Sequence, residues 1–207
     1  MTTAQIAALN TAQVAILTTS QVAALTPTEV KTLSTTQVQA LGSTQVNALT
    51  NVNVSALTST QVMSLTTAQV NGLTTAGVSA LTTTQLKSLS TIQVQAIATT
   101  NITTLSTGQV AALTTSQVSA LSTAQVAVLT TSDISVLSIS QVQVLTTAQV
   151  NALTTSSVAA MSATQVAALN TSQVQALTTA NVQNLNTSQV QALSSDQVTA
   201  FSTAQVS

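Results

Sequence analysis

Cysteine, histidine, tryptophan and tyrosine are absent from this 207-residue chain, and phenylalanine occurs once, at Phe201. Without cysteine there are no disulfides and no thiolate metal sites. Without histidine the usual general base is missing, so the abundant serines and threonines have nothing to activate them as nucleophiles. Charge is equally scarce: Glu29, Lys31, Lys87, Asp133 and Asp196 are the whole complement, for a formal net charge of −1. That balance gives almost no field to steer nucleic acid, anionic lipid or a charged substrate, and there are no aromatic platforms for bases. The four glycines are dispersed and form no phosphate-cradling loop. Apolar runs stop at about four residues, as in Val14–Leu17, where a bilayer span needs roughly 18. An enzyme, a nucleic-acid binder and a membrane-inserted protein are therefore not expected. No residue is singled out as catalytic, cofactor-binding or metal-ligating, and no cofactor is implied. All five charges are expected to be solvated.

What the chain does contain is one eight-residue unit, T-T-x-Q-V-x-A-L, repeated without insertion. The glutamines set the register: Gln5, Gln13, Gln21 and onward to Gln205 make 26 positions at a spacing of eight, of which 19 are Gln. The next column is always aliphatic, Val except at Ile6, Leu86, Ile102 and Ile134. Three residues further lies a leucine column, interrupted only by Ile97, Met161 and Phe201. Two aliphatic anchors per octad argue against disorder, which goes with low hydrophobicity. Between the anchors sit a variable, outward residue and a small one, Ala in 15 of 25 cases, suited to close packing. Residues 1–207 thus read as a single array of about 26 octads, with no separate domains. The opening residues, MTTAQIAALN, lack a basic stretch followed by a long apolar one, so no secretory signal is read. Met1 opens mid-pattern and Ser207 closes mid-repeat, as in a segment cut from a longer array.

Local structure follows from the period. A continuous α-helix turns about 100° per residue, so its apolar stripe would wander with each octad. A strand would send Val14 and Leu17 to opposite faces. A β-solenoid remains the alternative fold, although such coils usually place Gly or Asn at their corners. A short helix restarted in each octad matches the capping chemistry. The residue after each Leu is Thr 13 times, Ser eight times and Asn three times, with Gly42 and Ala98 completing the column. All but Ala98, 25 of the 26, are good N-cap residues. Gln stands three residues later, so Thr18-Thr19-Ser20-Gln21 is a capping box, and Leu17 with Val22 is a hydrophobic staple. The single proline, Pro27, falls at the first helical position, where its missing N–H costs nothing. Glu29, Asp133 and Asp196 each fall in a first turn, where the helix dipole favours negative charge. A helix from roughly Thr19 to Leu25 is expected in that octad and its equivalents.

Helices this short are unstable alone, so the expected fold is all-α, a solenoid in which stacked repeats bury the Val and Leu columns. The departures from Gln carry a second period. Glu29, Asn53, Gly77 and Asn101 are 24 residues apart, as are Asp133, Ser157 and Asn181. Two readings stand: three octads per coil, with these positions stacked where a long Gln does not fit, or a 24-residue duplication without geometric meaning. With layers about 8–10 Å apart, three octads per coil would give a rod roughly 70–85 Å long.

Runs such as LTTAQVNALTTSSVAA and LSTAQVAVLTTSDISVL resemble the octapeptide tracts of very large, adhesin-like bacterial surface proteins. The resemblance implies an extracellular spacer or fibre at the cell surface. Low charge and open apolar ends add the expectation that copies of the chain stack end to end. The alternative function is a surface-binding module, for ice or carbohydrate, using the Thr that follows the cap in 19 of 26 octads. Four N-x-Ser/Thr sequons, at Asn53, Asn101, Asn170 and Asn186, are candidate glycosylation sites.

Overall fold

The computed structural model describes residues 1–206; Ser207 lies outside them. Among the described residues all regular structure is helical and there is no strand, so the β-solenoid alternative is set aside. The chain divides into two compact units, Met1–Leu105 and Ser106–Ser207. The first holds α1 (Thr3–Ala8), α2 (Thr11–Ala15), α3 (Thr19–Ala23), α4 (Pro27–Thr32), α5 (Thr35–Ala40), α6 (Ser43–Asn47), α7 (Asn51–Ala56), α8 (Ser59–Ser64), α9 (Thr67–Asn71), α10 (Thr75–Ala80), α11 (Thr83–Ser88), α12 (Thr91–Ala96) and α13 (Thr99–Ile102). The second holds α14 (Thr107–Ala112), α15 (Thr115–Ala120), α16 (Thr123–Ala127), α17 (Thr131–Ser135), α18 (Ile139–Gln143), α19 (Thr147–Asn151), α20 (Thr155–Ala159), α21 (Ala163–Ala167), α22 (Thr171–Ala176), α23 (Thr179–Gln183), α24 (Thr187–Gln191) and α25 (Ser195–Ala200).

Each helix begins where the cap chemistry places it. In α3 the Thr18 hydroxyl accepts the Gln21 N–H and the Gln21 side chain accepts the Thr18 N–H. The first α-type bond then runs from the Val22 N–H to the Thr18 carbonyl, at 3.0 Å. The helix closes on a tighter bond from the Leu25 N–H back to the Val22 carbonyl, at 3.2 Å. Helices are shorter than the sequence suggests, because the leucine is a corner residue rather than a helical one. Leu33, at φ −60° and ψ 132°, and the next cap Ser34, at φ −70° and ψ 162°, are both extended. Two extended residues turn the chain, and no described residue has a positive φ. That geometry is open to any L-residue, which is why corners need no glycine. Pro27 occupies the first turn of α4 as expected, and the acids Glu29, Asp133 and Asp196 lie in first turns.

Within each unit every helix packs on the third one along: α1 on α4, α2 on α5, α5 on α8, and in the second unit α14 on α17, α19 on α22, α22 on α25. Three octads therefore make one coil, and the 24-residue period is geometric. The Val column is sealed between layers, with Val30, Val62, Leu86 and Val150 at 0% exposure, while Leu33, Leu65 and Leu153 are buried at the corners. Burying two such side chains contributes about 3–6 kcal/mol per octad. The outward column is mostly exposed and the small column half-buried. Gly72 shows how close packing can become there, since an added Cβ would lie 3.0 Å from Ser43 Cβ in the layer before.

Ala98 tests the capping argument from within. It is the one cap that is neither polar nor glycine, it makes no side-chain cap bond, and α13 is the shortest helix at four residues. The Asn101 N–H turns to the Ala98 carbonyl instead, at 2.8 Å. Ala98→Ser should raise stability by about 1 kcal/mol, and Ser90→Ala, one octad earlier, should lower it by a similar amount. Urea unfolding of the two variants beside the parent checks this; equal midpoints for all three would refute the role given to the caps.

Candidate functional site

The most organised polar chemistry in the chain lies between layers, in the glutamine column. Gln85 shows the arrangement. Its Oε1 accepts the Thr82 N–H at 2.7 Å, completing the cap of its own helix. Its Nε2 donates downward, to the Val54 carbonyl at 2.9 Å and the Leu57 carbonyl at 2.6 Å. Those carbonyls lie 31 and 28 residues earlier, at the corner between α7 and α8, and α8 is the helix beneath Gln85. One amide thus caps the start of one helix and the end of another.

The same latch recurs along both units. Gln37 reaches the Ile6 and Leu9 carbonyls at 3.0 and 2.7 Å, and Gln61 those of Val30 and Leu33 at 2.8 and 2.7 Å. In the second unit Gln149 reaches Val118 and Leu121 at 2.9 and 2.7 Å, and Gln189 reaches Val158 and Met161 at 2.8 and 2.8 Å. These glutamines are buried, Gln173 and Gln189 to 1% exposure. The first-layer residues Gln5, Gln13 and Gln21 are exposed and make the capping contacts only. Outside the column a looser tie runs upward: Asn71 and Asn151 donate to the Ala96 and Ala176 carbonyls, at 3.1 and 3.0 Å.

Substitutions in the column dissect the latch. Asn53, Asn101 and Asn181 keep one downward bond, to Leu25, Leu73 and Leu153 at 2.8, 2.6 and 3.2 Å, but no longer reach their own cap. Glu29 and Asp133 do the converse. Glu29 accepts the Thr26 N–H at 2.7 Å and its hydroxyl at 2.9 Å, Asp133 accepts the Thr130 N–H and hydroxyl at 2.9 and 2.7 Å, and neither carboxylate can donate. Ser157 bonds only its cap Thr154, at 2.8 and 3.1 Å, and Gly77 has no side chain. In the first unit the four departures sit on the stacked helices α4, α7, α10 and α13; in the second, three sit on α17, α20 and α23. Each unit therefore has one under-latched side. At Gly77 a Cβ would meet only ordinary contacts, Thr74 Oγ1 at 3.4 Å and Leu73 Cδ2 at 3.6 Å, so crowding does not explain the missing side chain there.

Two expectations need correction. Of the five charges, Lys31, Lys87 and Asp196 are exposed, but Glu29 and Asp133 are buried because they occupy the interlayer column. The Thr26 backbone N–H and hydroxyl hold the Glu29 carboxyl below its ordinary value, against the opposing effect of burial. Of the four sequons, Asn53 and Asn101 are buried to 1% and 3%, with their Nδ2 groups already donating, so neither can carry a glycan in the folded chain. Asn170 and Asn186 are exposed, and both serve as N-caps.

Among the described residues there is no cluster of metal-ligating side chains, and no helix is long and apolar enough to cross a membrane. What the geometry defines is a helical solenoid of tandem octads, latched layer to layer by amides. The residue segments 1–27, 23–51, 53–91, 94–131, 147–179 and 158–187 each match the ALTTAQ repeat, and the chain belongs to that repeat family. No curated protein matches it.

Two consequences can be measured. Gln85→Ala removes a cap contact, leaves the buried Leu57 carbonyl without its donor and leaves the Val54 carbonyl with the Leu57 N–H alone, which should cost about 2–4 kcal/mol. Gln13→Ala removes the cap contact alone and should cost about 1 kcal/mol or less. Equal losses in denaturant unfolding would refute the downward bonds. Glu29 adds a pH dependence. Its folded pKa is lowered, so its contribution is complete above the ordinary value of 4.5 and is lost as pH falls through the folded value. An acid titration of stability should therefore be shallower in Glu29→Gln than in the parent, and identical curves would show that the cap contact does not hold the carboxylate.

Proposed function

We propose that the chain is a mechanical spacer: a rod-like stalk of a large bacterial surface protein, or a filament subunit that stacks on copies of itself outside the cell. One observation carries this reading, that within each unit helix ends in one layer are completed by the next layer, so the fold's chemistry is spent on extension. The near absence of charge and the lack of histidine and cysteine support a non-catalytic role without nucleic acid or cofactor. The extracellular setting is supported by the likeness of the octads to adhesin-like tracts. Small-angle scattering and sedimentation of the purified chain test the reading. An elongated helical particle, roughly 70–85 Å long at layer spacings of 8–10 Å, is the expected result, and a compact sphere would overturn it.

A second reading rests on the exposed threonines that follow most caps, as at Thr67, Thr83 and Thr115. Their regular display on the outer surface suits an ordered partner such as ice or a carbohydrate. Thermal hysteresis and glycan-capture assays decide it, and silence in both removes it.

A further inference from the structure

Outside the glutamine column, one of the ties between layers ends on a chemically labile pair. Asn71 is the last residue of α9 and is exposed. Its Nδ2 donates to the Ala96 carbonyl at 3.1 Å, at the end of α12, the helix stacked on α9. The residue that follows is Gly72. Asn151 makes the same tie in the second unit, to the Ala176 carbonyl at 3.0 Å, but Ala152 follows it. Of the eleven asparagines only Asn71 precedes a glycine; the others precede Ala, Thr, Val, Ile or Leu. Packing accounts for that glycine, since a Cβ there would lie 3.0 Å from Ser43 Cβ and 3.2 Å from the Ala68 carbonyl oxygen. The coil thus places an asparagine for its tie and a glycine for its fit at adjacent positions.

We propose that Asn71 and Gly72 form a self-modification site, at which the tie to Ala96 is lost by deamidation through a cyclic imide. The Gly72 nitrogen attacks the Asn71 side-chain carbonyl carbon and gives up its proton; the new N–Cγ bond forms, and the Cγ–Nδ2 bond breaks to release ammonia. Water then opens the ring at either carbonyl, giving aspartate or isoaspartate, and nothing is oxidised or reduced. Glycine permits this because it has no Cβ to crowd the attacking nitrogen and its backbone turns freely. In the closed coil the Gly72 N–H is engaged by the Ala68 carbonyl at 3.0 Å and the Asn71 amide by Ala96, so the reaction starts from an opening of the last turn of α9. Helix ends open at far lower cost than the whole fold. Both products set a carboxylate, which cannot donate, against the Ala96 carbonyl. Isoaspartate also lengthens the main chain by one methylene beside the Leu73 corner, whose carbonyl is held by the Asn101 amide at 2.6 Å. The tie is therefore lost irreversibly, next to the under-latched side of the first unit.

Ageing the folded chain in warm, mildly alkaline buffer tests the site. Trypsin, which cuts after Lys31 and Lys87, then separates the segment Thr32–Lys87 from the fragments that carry Asn10 and Asn151. The segment Thr32–Lys87 should gain one dalton and accept a methyl group from S-adenosylmethionine in the presence of isoaspartyl methyltransferase, while the other two fragments keep their fresh masses. That segment also holds Asn47, Asn51 and Asn53, so Asn71→Gln, at an exposed position, identifies the source: it should abolish both signals. The urea midpoint of the parent should fall on ageing, and that of Asn71→Gln should hold. An unmodified parent, signals that persist in Asn71→Gln, or equal modification of the fragment carrying Asn151 would overturn the site. A modified parent with an unchanged midpoint would overturn the loss of the tie.

Discussion

A helix of five residues has almost no interior. An α-helix leaves its first four N–H groups and last four carbonyls without internal partners, so here nearly every backbone polar group depends on something outside the helix. The glutamine amide meets both needs at once, because one end accepts and the other donates. Oε1 completes the cap of its own helix, and Nε2 fills the last carbonyls of a helix one coil earlier. Burying the Val column between layers carries those carbonyls out of water, where an unfilled acceptor costs about 1–3 kcal/mol. The apolar seal and the amide latch are therefore one device. The seal excludes water only because the latch replaces it.

The seven departures show that the two ends of the amide are separable. Asn53 keeps the downward bond and gives up the cap, whereas Glu29 keeps the cap and cannot donate. Neither residue does both, since asparagine is one methylene too short and glutamate has no N–H. Because these residues follow one another at 24-residue intervals, the losses fall on one side of the coil in each unit rather than being spread around it. The other two sides stay laced in most layers, so no layer is held by the weak side alone.

Most of the local structure was legible in the sequence because caps, capping boxes and staples act within five residues. The core columns were legible from the period, and the number of octads per coil from the 24-residue spacing of the departures, although a duplication would have left the same trace. What was not legible was the burial of the glutamines. Their downward partners lie 28 and 31 residues away, and the capping role already accounted for a polar residue at that position. One signal was available. Glutamate serves a capping box as well as glutamine and suits the helix dipole better, yet the column holds 19 Gln against one Glu. A site that prefers the neutral amide over the carboxylate is using its N–H. The same inference would have placed Glu29 and Asp133 inside the coil rather than among the solvated charges.

Near-identical octads bring a hazard of register, since a chain that closes its coil one octad early still sets Gln over a leucine corner and Val beneath a helix. Sequence-dependent positions have to break the tie. Glu29, Asn53, Gly77 and Asn101 fall on one side only when every coil takes three octads; any slip distributes them over several sides. Misplaced, Glu29 would set a carboxylate against carbonyl oxygens that need a donor, whereas in its own place it meets the N–H and hydroxyl of Thr26 and, at 3.5 Å, the Met1 ammonium. The irregular residues of a repeat are usually read as decay. In this coil they distinguish one side from the other two, and so give a nearly periodic sequence a reason to settle on a single winding.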